Sequence, residues 1–119
     1  MIKHIIWDWN GTLVNDVELC VDILNRLLSD YGKNIITVDR YRSSFFFPVA
    51  KFYESLTLPS LGSKYDNLAK AYIKEYRERF KECFLHTGAV KTLKQLNAIG
   101  ISHSLLSAGM QEDLSLIHI

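Results

Sequence analysis

From residue 16 to residue 99 the apolar residues recur with the period of a helix, and only at either end does the pattern shorten to that of a strand. A strand that returns to a parallel neighbour needs a crossover connection. A crossover of this length is far longer than the usual one, so the helical stretch reads as an inserted domain. The expected fold class is therefore α/β, a Rossmann-like parallel sheet of which two strands are readable, with an inserted α-helical cap. The expected boundaries are residues 1–15 and 83–119 for the sheet domain and 16–82 for the cap.

The first strand-like run is His4-Ile5-Ile6-Trp7, β-branched and aromatic, broken at Asn10-Gly11. The second is Ile101 to Ser107, ending at Ala108-Gly109. Between them, Cys20, Ile23, Leu24, Leu27, Leu28 and Tyr31 share one helical face, and Gly32 is placed to stop that helix. Thr37 can cap a short helix and Pro48 can open another. Ser63 is expected to cap a long helix reaching about Leu85, with Leu68, Tyr72, Tyr76, Phe80, Cys83 and Phe84 on its apolar side. A last helix should run from Gly88 to Ile99 and close at Gly100.

Composition narrows the class of partner. Apolar residues make up 48% of the 119, enough to bury a core, and a formal charge of +1 gives no reason to expect nucleic acid or an anionic membrane. The apolar run before Asp8 is too short for a signal peptide or a membrane span, and a cytoplasmic location is expected. Cys20 and Cys83 form no CxxC pair and read as buried free thiols.

The chemistry is concentrated after the first strand. A carboxylate just beyond an apolar strand is costly unless it is exposed, hydrogen-bonded or metal-bound. Gly11 permits a tight turn that can aim amides at an anion, and Thr12 adds a hydroxyl. Asp8, Gly11 and Thr12 could serve phosphoryl transfer through attack by the carboxylate. On spacing alone an Asx-type turn explains the same residues.

The segment Ile6-Trp7-Asp8-Trp9-Asn10-Gly11-Thr12-Leu13 resembles the first motif of the haloacid dehalogenase superfamily, an apolar strand followed by Asp-x-Asp-Gly-Thr-Leu. Ser107, at the end of the second strand, resembles the second motif, and the helical insert resembles the cap of the phosphoglycolate phosphatase-like branch. The resemblance implies a Mg²⁺-dependent hydrolase of small phosphate monoesters. Asp8 would be the nucleophile, and its other oxygen would bind Mg²⁺ together with the backbone carbonyl of Asn10. Thr12, Ser107, Ala108 and Gly109 would border the substrate phosphate, aided by the amides near Trp9, Asn10 and Ala108. A small phosphorylated metabolite is the implied partner.

Two departures stand out. Asn10 occupies the place of the family's second Asp, which protonates the leaving group and then activates water. General acid–base help is typically worth about 10²–10⁴-fold, so Asn10→Asp is expected to raise turnover by roughly 10²-fold. The family's third motif (Lys or Arg) and its fourth, an acidic pair, should follow Ser107. The stretch after Ser107 holds no lysine, and Glu112 and Asp113 come too early for the fourth motif, so the chain reads as incomplete. Three other readings stand beside the phosphatase: a non-catalytic phosphate- or metabolite-binding relative, an inactive fragment, and a carbon–phosphorus hydrolase using a cap lysine, for which Lys51 is poorly placed. Phe45-Phe46-Phe47-Pro48 reads either as substrate-shaping or as cap core.

Overall fold

A computed structural model describes residues 1–106. The chain divides into two compact units, one built from Met1–Asp16 and the stretch beginning at Lys81, the other from Val17–Phe80.

In the first unit, β1 (His4–Asp8) pairs in parallel with β4 (Ser102–Leu106), with Trp7 opposite Leu105 and Asp8 opposite Leu106. This is the parallel, Rossmann-like arrangement expected from the sequence. Side chains alternate across β1: Ile5 and Trp7 are half-buried, whereas His4, Ile6 and Asp8 are exposed. On the exposed face, the His4 imidazole bonds the hydroxyls of Ser102 at 2.6 Å and Ser104 at 2.9 Å. Near the half-buried face, Trp7, Leu13, His103 and Leu105 line a cavity of about 290 Å³ with Val90 and Leu93 of α5 (Ala89–Ala98).

The expected Gly100 stop holds in detail. Gly100 has φ +88°, its amide donates to Asn97 O at 3.0 Å, and Ile101 N donates to Leu96 O at 3.1 Å. These two bonds satisfy the last carbonyls of α5, as a left-handed residue after a helix allows.

The sequence reading missed a second, smaller sheet. Val14–Asn15 (β2) pairs antiparallel with Phe84–Leu85 (β3), with Val14 opposite Leu85. Buried Trp9, Leu13 and Val14 form a cluster there, against which Trp7, Cys83, Leu85 and Ala89 pack. The long helix expected to reach Leu85 therefore ends sooner. It spans Gly62–Arg79 (α4), followed by one 3₁₀ turn at Phe80–Glu82. Cys83 and Phe84 fit the helical period by coincidence. Backbone pairing with β2, joined by the bond from His86 N to Leu13 O at 2.8 Å, draws this segment into an extended form. Phe84 is 80% exposed rather than buried.

The second unit is entirely helical: α1 (Val17–Asp30), α2 (Val38–Ser44), α3 (Val49–Ser55) and α4. Helix α1 buries Leu19, Val21, Ile23, Leu24, Leu27 and Leu28, a wider stripe than the sequence suggested, while Tyr31 is exposed. Gly32 (φ +69°) ends it as expected, with Lys33 N on Leu28 O at 2.8 Å. Thr37 caps α2 by accepting from Arg40 N at 3.1 Å, and Pro48 precedes α3. Ser63 does not cap α4; Leu61 holds the cap position without a side-chain bond. Asn25 pins the segment before α2 by a two-way bond to Ile36, donating to its carbonyl and accepting from its amide, each at 2.9 Å.

One phenol in this unit, Tyr53, is buried and another, Tyr72, is half-buried. Burial, then the neighbouring Tyr65 and Cys20, pushes Tyr53 up to about 12. Burial, then the Cys20 thiol, raises Tyr72 as well. Below pH 10 both are neutral, folded or unfolded, and contribute no pH dependence. Above pH 10 the unfolded chain releases their protons while the folded chain keeps them, so stability falls as pH rises, through about 12 for Tyr53. For Tyr53 the loss is about 1 kcal/mol per pH unit. Urea melts followed by circular dichroism at pH 9, 10 and 11 should show it, and Tyr53→Phe should flatten the decline.

Candidate active site

The first site residue is placed by the strand itself. Asp8 is the last residue of β1 and is exposed, at the carboxyl end of a parallel strand, where open α/β sheets bind ligands. Both carboxylate oxygens are held. Trp9 N donates to Oδ1 at 2.9 Å, and Thr12 Oγ1 donates to Oδ2 at 3.1 Å. A carboxylate accepts about four hydrogen bonds, so two donors fix its orientation and leave lone pairs for another task.

The loop beyond is tightly wound. Trp9 O accepts from Thr12, Leu13 and Val14 amides at 3.1–3.2 Å, and Gly11 N donates to Val14 O at 3.0 Å. These amides are spent inside the loop, and Trp9 N is spent on Asp8. Gly11 thus serves a turn that closes on the Trp9 carbonyl and carries Thr12 back to Asp8.

Gly11 sits at φ +76°, and a Cβ there would come no nearer than 3.9 Å to Asp16 Oδ1. Space is available, so the cost of Gly11→Ala is the backbone conformation, roughly 1–2 kcal/mol. Chemical denaturation should show that loss, with the helical unit's signal otherwise unchanged.

Sequence reasoning passed over Asp16. In the sequence it marks the point where the helical period begins, yet it is a buried carboxylate, 4% exposed. Asn10 Nδ2 donates to its Oδ2 at 3.1 Å. The signal was available in kind, since an acid among Leu13, Val14 and Val17 needs a partner. His86 Nε2 also lies 3.2 Å from Gly11 O.

Asp8, Asn10 and Thr12 thus share one loop, whereas Ser107, Ala108 and Gly109 lie outside the described residues. Lys51 is exposed and faces Glu54 at 3.6 Å, as a solvated helix lysine would. Phe45 packs edge-on to Phe52 and to Phe47, with centroids 5.0 Å apart in each case, while Phe47 itself is 77% exposed. Among the described residues no group of three or more His, Cys, Asp or Glu side chains is placed to hold a metal ion. No described helix is long and apolar enough to cross a membrane.

The sheet unit is thus a parallel α/β arrangement with an oriented carboxylate at its carboxyl edge, its sequence interrupted by a helical unit. Residues 5–117 match the haloacid dehalogenase-like hydrolase family, and the chain belongs to it. No curated protein matches the sequence. Solved structures do. One from Bacteroides fragilis, described as a haloacid dehalogenase-like hydrolase, superposes with a TM-score of 0.80 at 19% identity, over 98% of this chain and 56% of its own. One from Haemophilus somnus 129pt, described as a predicted phosphoglycolate phosphatase, gives 0.75 at 17%, over 99% and 58%. One from Thermotoga maritima, described as a β-phosphoglucomutase, gives 0.63 at 22%, over 98% and 56%. The chain spans little more than half the length of these structures.

Proposed function

We propose that this chain carries the nucleophile of a phosphatase-type hydrolase that acts on a small phosphate monoester through an aspartyl phosphate. Met1–Asp16 and the stretch from Lys81 would be its sheet domain, and Val17–Phe80 its cap. The observation that carries the reading is the exposed Asp8 carboxylate at the end of β1, oriented by Trp9 N and Thr12 Oγ1. Fixing a nucleophile before reaction removes orientational freedom that would otherwise have to be lost at the transition state.

In the first step an Asp8 oxygen bonds to phosphorus and the ester P–O bond breaks. The departing oxygen needs a proton, and Asn10, a neutral amide, has none to give. In the second step water attacks the acyl phosphate, and Asn10 cannot deprotonate it. Both steps therefore rely on solvent for proton transfer, and a substrate with a good leaving group suits such a site. The second step suffers most, because a good leaving group does not help it.

Hard oxygen donors fit Mg²⁺, which binds through one or two carboxylates and keeps several waters. Asp8 and the backbone carbonyl of Asn10 would hold it, with further ligands from outside the described residues. When bound, the ion neutralises phosphate charge. Chelation with excess EDTA should remove turnover of an aryl phosphate by the intact protein, and added Mg²⁺ should return it. Turnover that survives chelation would sink the metal-dependent reading.

A second reading is a phosphate-binding relative without turnover, which Asn10 favours. It predicts that the intact protein binds inorganic phosphate while releasing none from aryl phosphates at any Mg²⁺ concentration. Lys51, exposed and paired with Glu54, gives no support to carbon–phosphorus cleavage.

A further inference from the structure

Asn10 and Asp16 invert the chemistry expected at the turn. The position where an acid–base carboxylate is expected carries an amide, and a carboxylate stands six residues on, bonded to that amide at 3.1 Å. An asparagine side chain can turn its amide by half a revolution with little change of shape. A neighbouring carboxylate breaks that symmetry, because it only accepts hydrogen bonds: the NH₂ end is favoured toward it, and the carbonyl end is disfavoured. Burial of Asp16 strengthens the preference, since a buried carboxylate is costly without donors.

We infer that Asn10 and Asp16 are an exchanged pair, in which Asp16 is a positioning residue for position 10. It holds the Asn10 amide with Nδ2 inward, so that Oδ1 occupies the other branch. Position 10 then carries an amide of fixed orientation, which cannot protonate a leaving group. The catalytic part of this statement rests on the reading of Asp8 as nucleophile.

Asn10→Asp alone would set a second carboxylate against Asp16 at hydrogen-bond distance, and two like charges so close do not both ionise freely. The single substitution therefore costs stability at the turn. Asn10→Asp combined with Asp16→Asn rebuilds the same bond with donor and acceptor exchanged, and leaves a carboxylate at position 10.

The test uses the 119-residue chain tethered one molecule at a time, so that association between copies plays no part. The protease concentration giving half-cleavage should fall about threefold or more in Asn10→Asp and return to within about twofold of the parent in the exchanged double variant. A double variant no more resistant than Asn10→Asp would overturn the pair. The second readout is the side-chain amide of Asn10 in ¹⁵N-labelled chain. One of its protons should exchange slowly and resonate downfield, and both features should vanish in Asp16→Ala; an Asn10 amide indifferent to Asp16→Ala would also overturn the proposal. Neither measurement needs turnover, so failure here leaves the role of Asp8 standing, and an inert Asp8 leaves the pair standing.

Discussion

Replacing Asp8 with Asn should lower aryl phosphate turnover by the intact protein roughly 10⁴-fold or more, the scale seen when a nucleophile is removed. It should also abolish the binding of beryllium fluoride with Mg²⁺, which mimics an acyl phosphate on a carboxylate. Asparagine has nearly the shape of aspartate. Its Oδ1 can still accept from Trp9 N, and its Nδ2 can donate to the Thr12 hydroxyl, so the two local bonds have replacements. The fold should therefore persist while the chemistry stops. Beryllium fluoride binding that survives Asp8→Asn would remove Asp8 from the nucleophile role.

The largest stability effect should come from Phe52→Ala. Phe52 is 1% exposed and central to the helical unit. Its ring lies 5.0 Å from Phe45, 5.9 Å from Tyr41, 6.0 Å from Phe46 and 6.4 Å from Tyr53. Removing a core phenyl group typically costs about 3–5 kcal/mol, through lost burial and the void left behind. Phe52 also lines an existing cavity of about 290 Å³ with Leu24, Tyr65 and Tyr72, so truncation enlarges a space rather than opening a new one. Since whole domains are stable by only about 5–15 kcal/mol, this single loss should remove much of the unit's stability. Equilibrium denaturation monitored by helical circular dichroism measures it; a loss below about 1 kcal/mol would show that neighbouring rings refill the site.

What the sequence disclosed follows from how local each feature is. The Gly32 and Gly100 stops were legible because each needs only a left-handed residue and two backbone bonds nearby in the chain. The Thr37 cap was legible for the same reason. The pairing of β2 with β3 was not, because two-residue strands leave no periodicity and their partner lies some seventy residues away. Phe80, Cys83 and Phe84 kept a helical spacing that the backbone abandons after Arg79. At the site, Asp8, Asn10 and Thr12 could be grouped from one motif, whereas the bond between Asn10 and Asp16 depends on a loop that folds back on Trp9 O. No rule of spacing foretells that return.

The central claim is that Asp8 attacks phosphorus and that Asn10 then leaves the product undischarged. The most direct measurement mixes intact protein with an aryl phosphate and Mg²⁺, quenches in acid, and maps any added phosphoryl group by peptide mass. The account predicts a phosphoryl group on the peptide containing Asp8, accumulating because hydrolysis lacks its base, and its absence from Asp8→Asn. Aryl phosphate turnover with no phosphoryl group on that peptide, or with one on another residue, would contradict it.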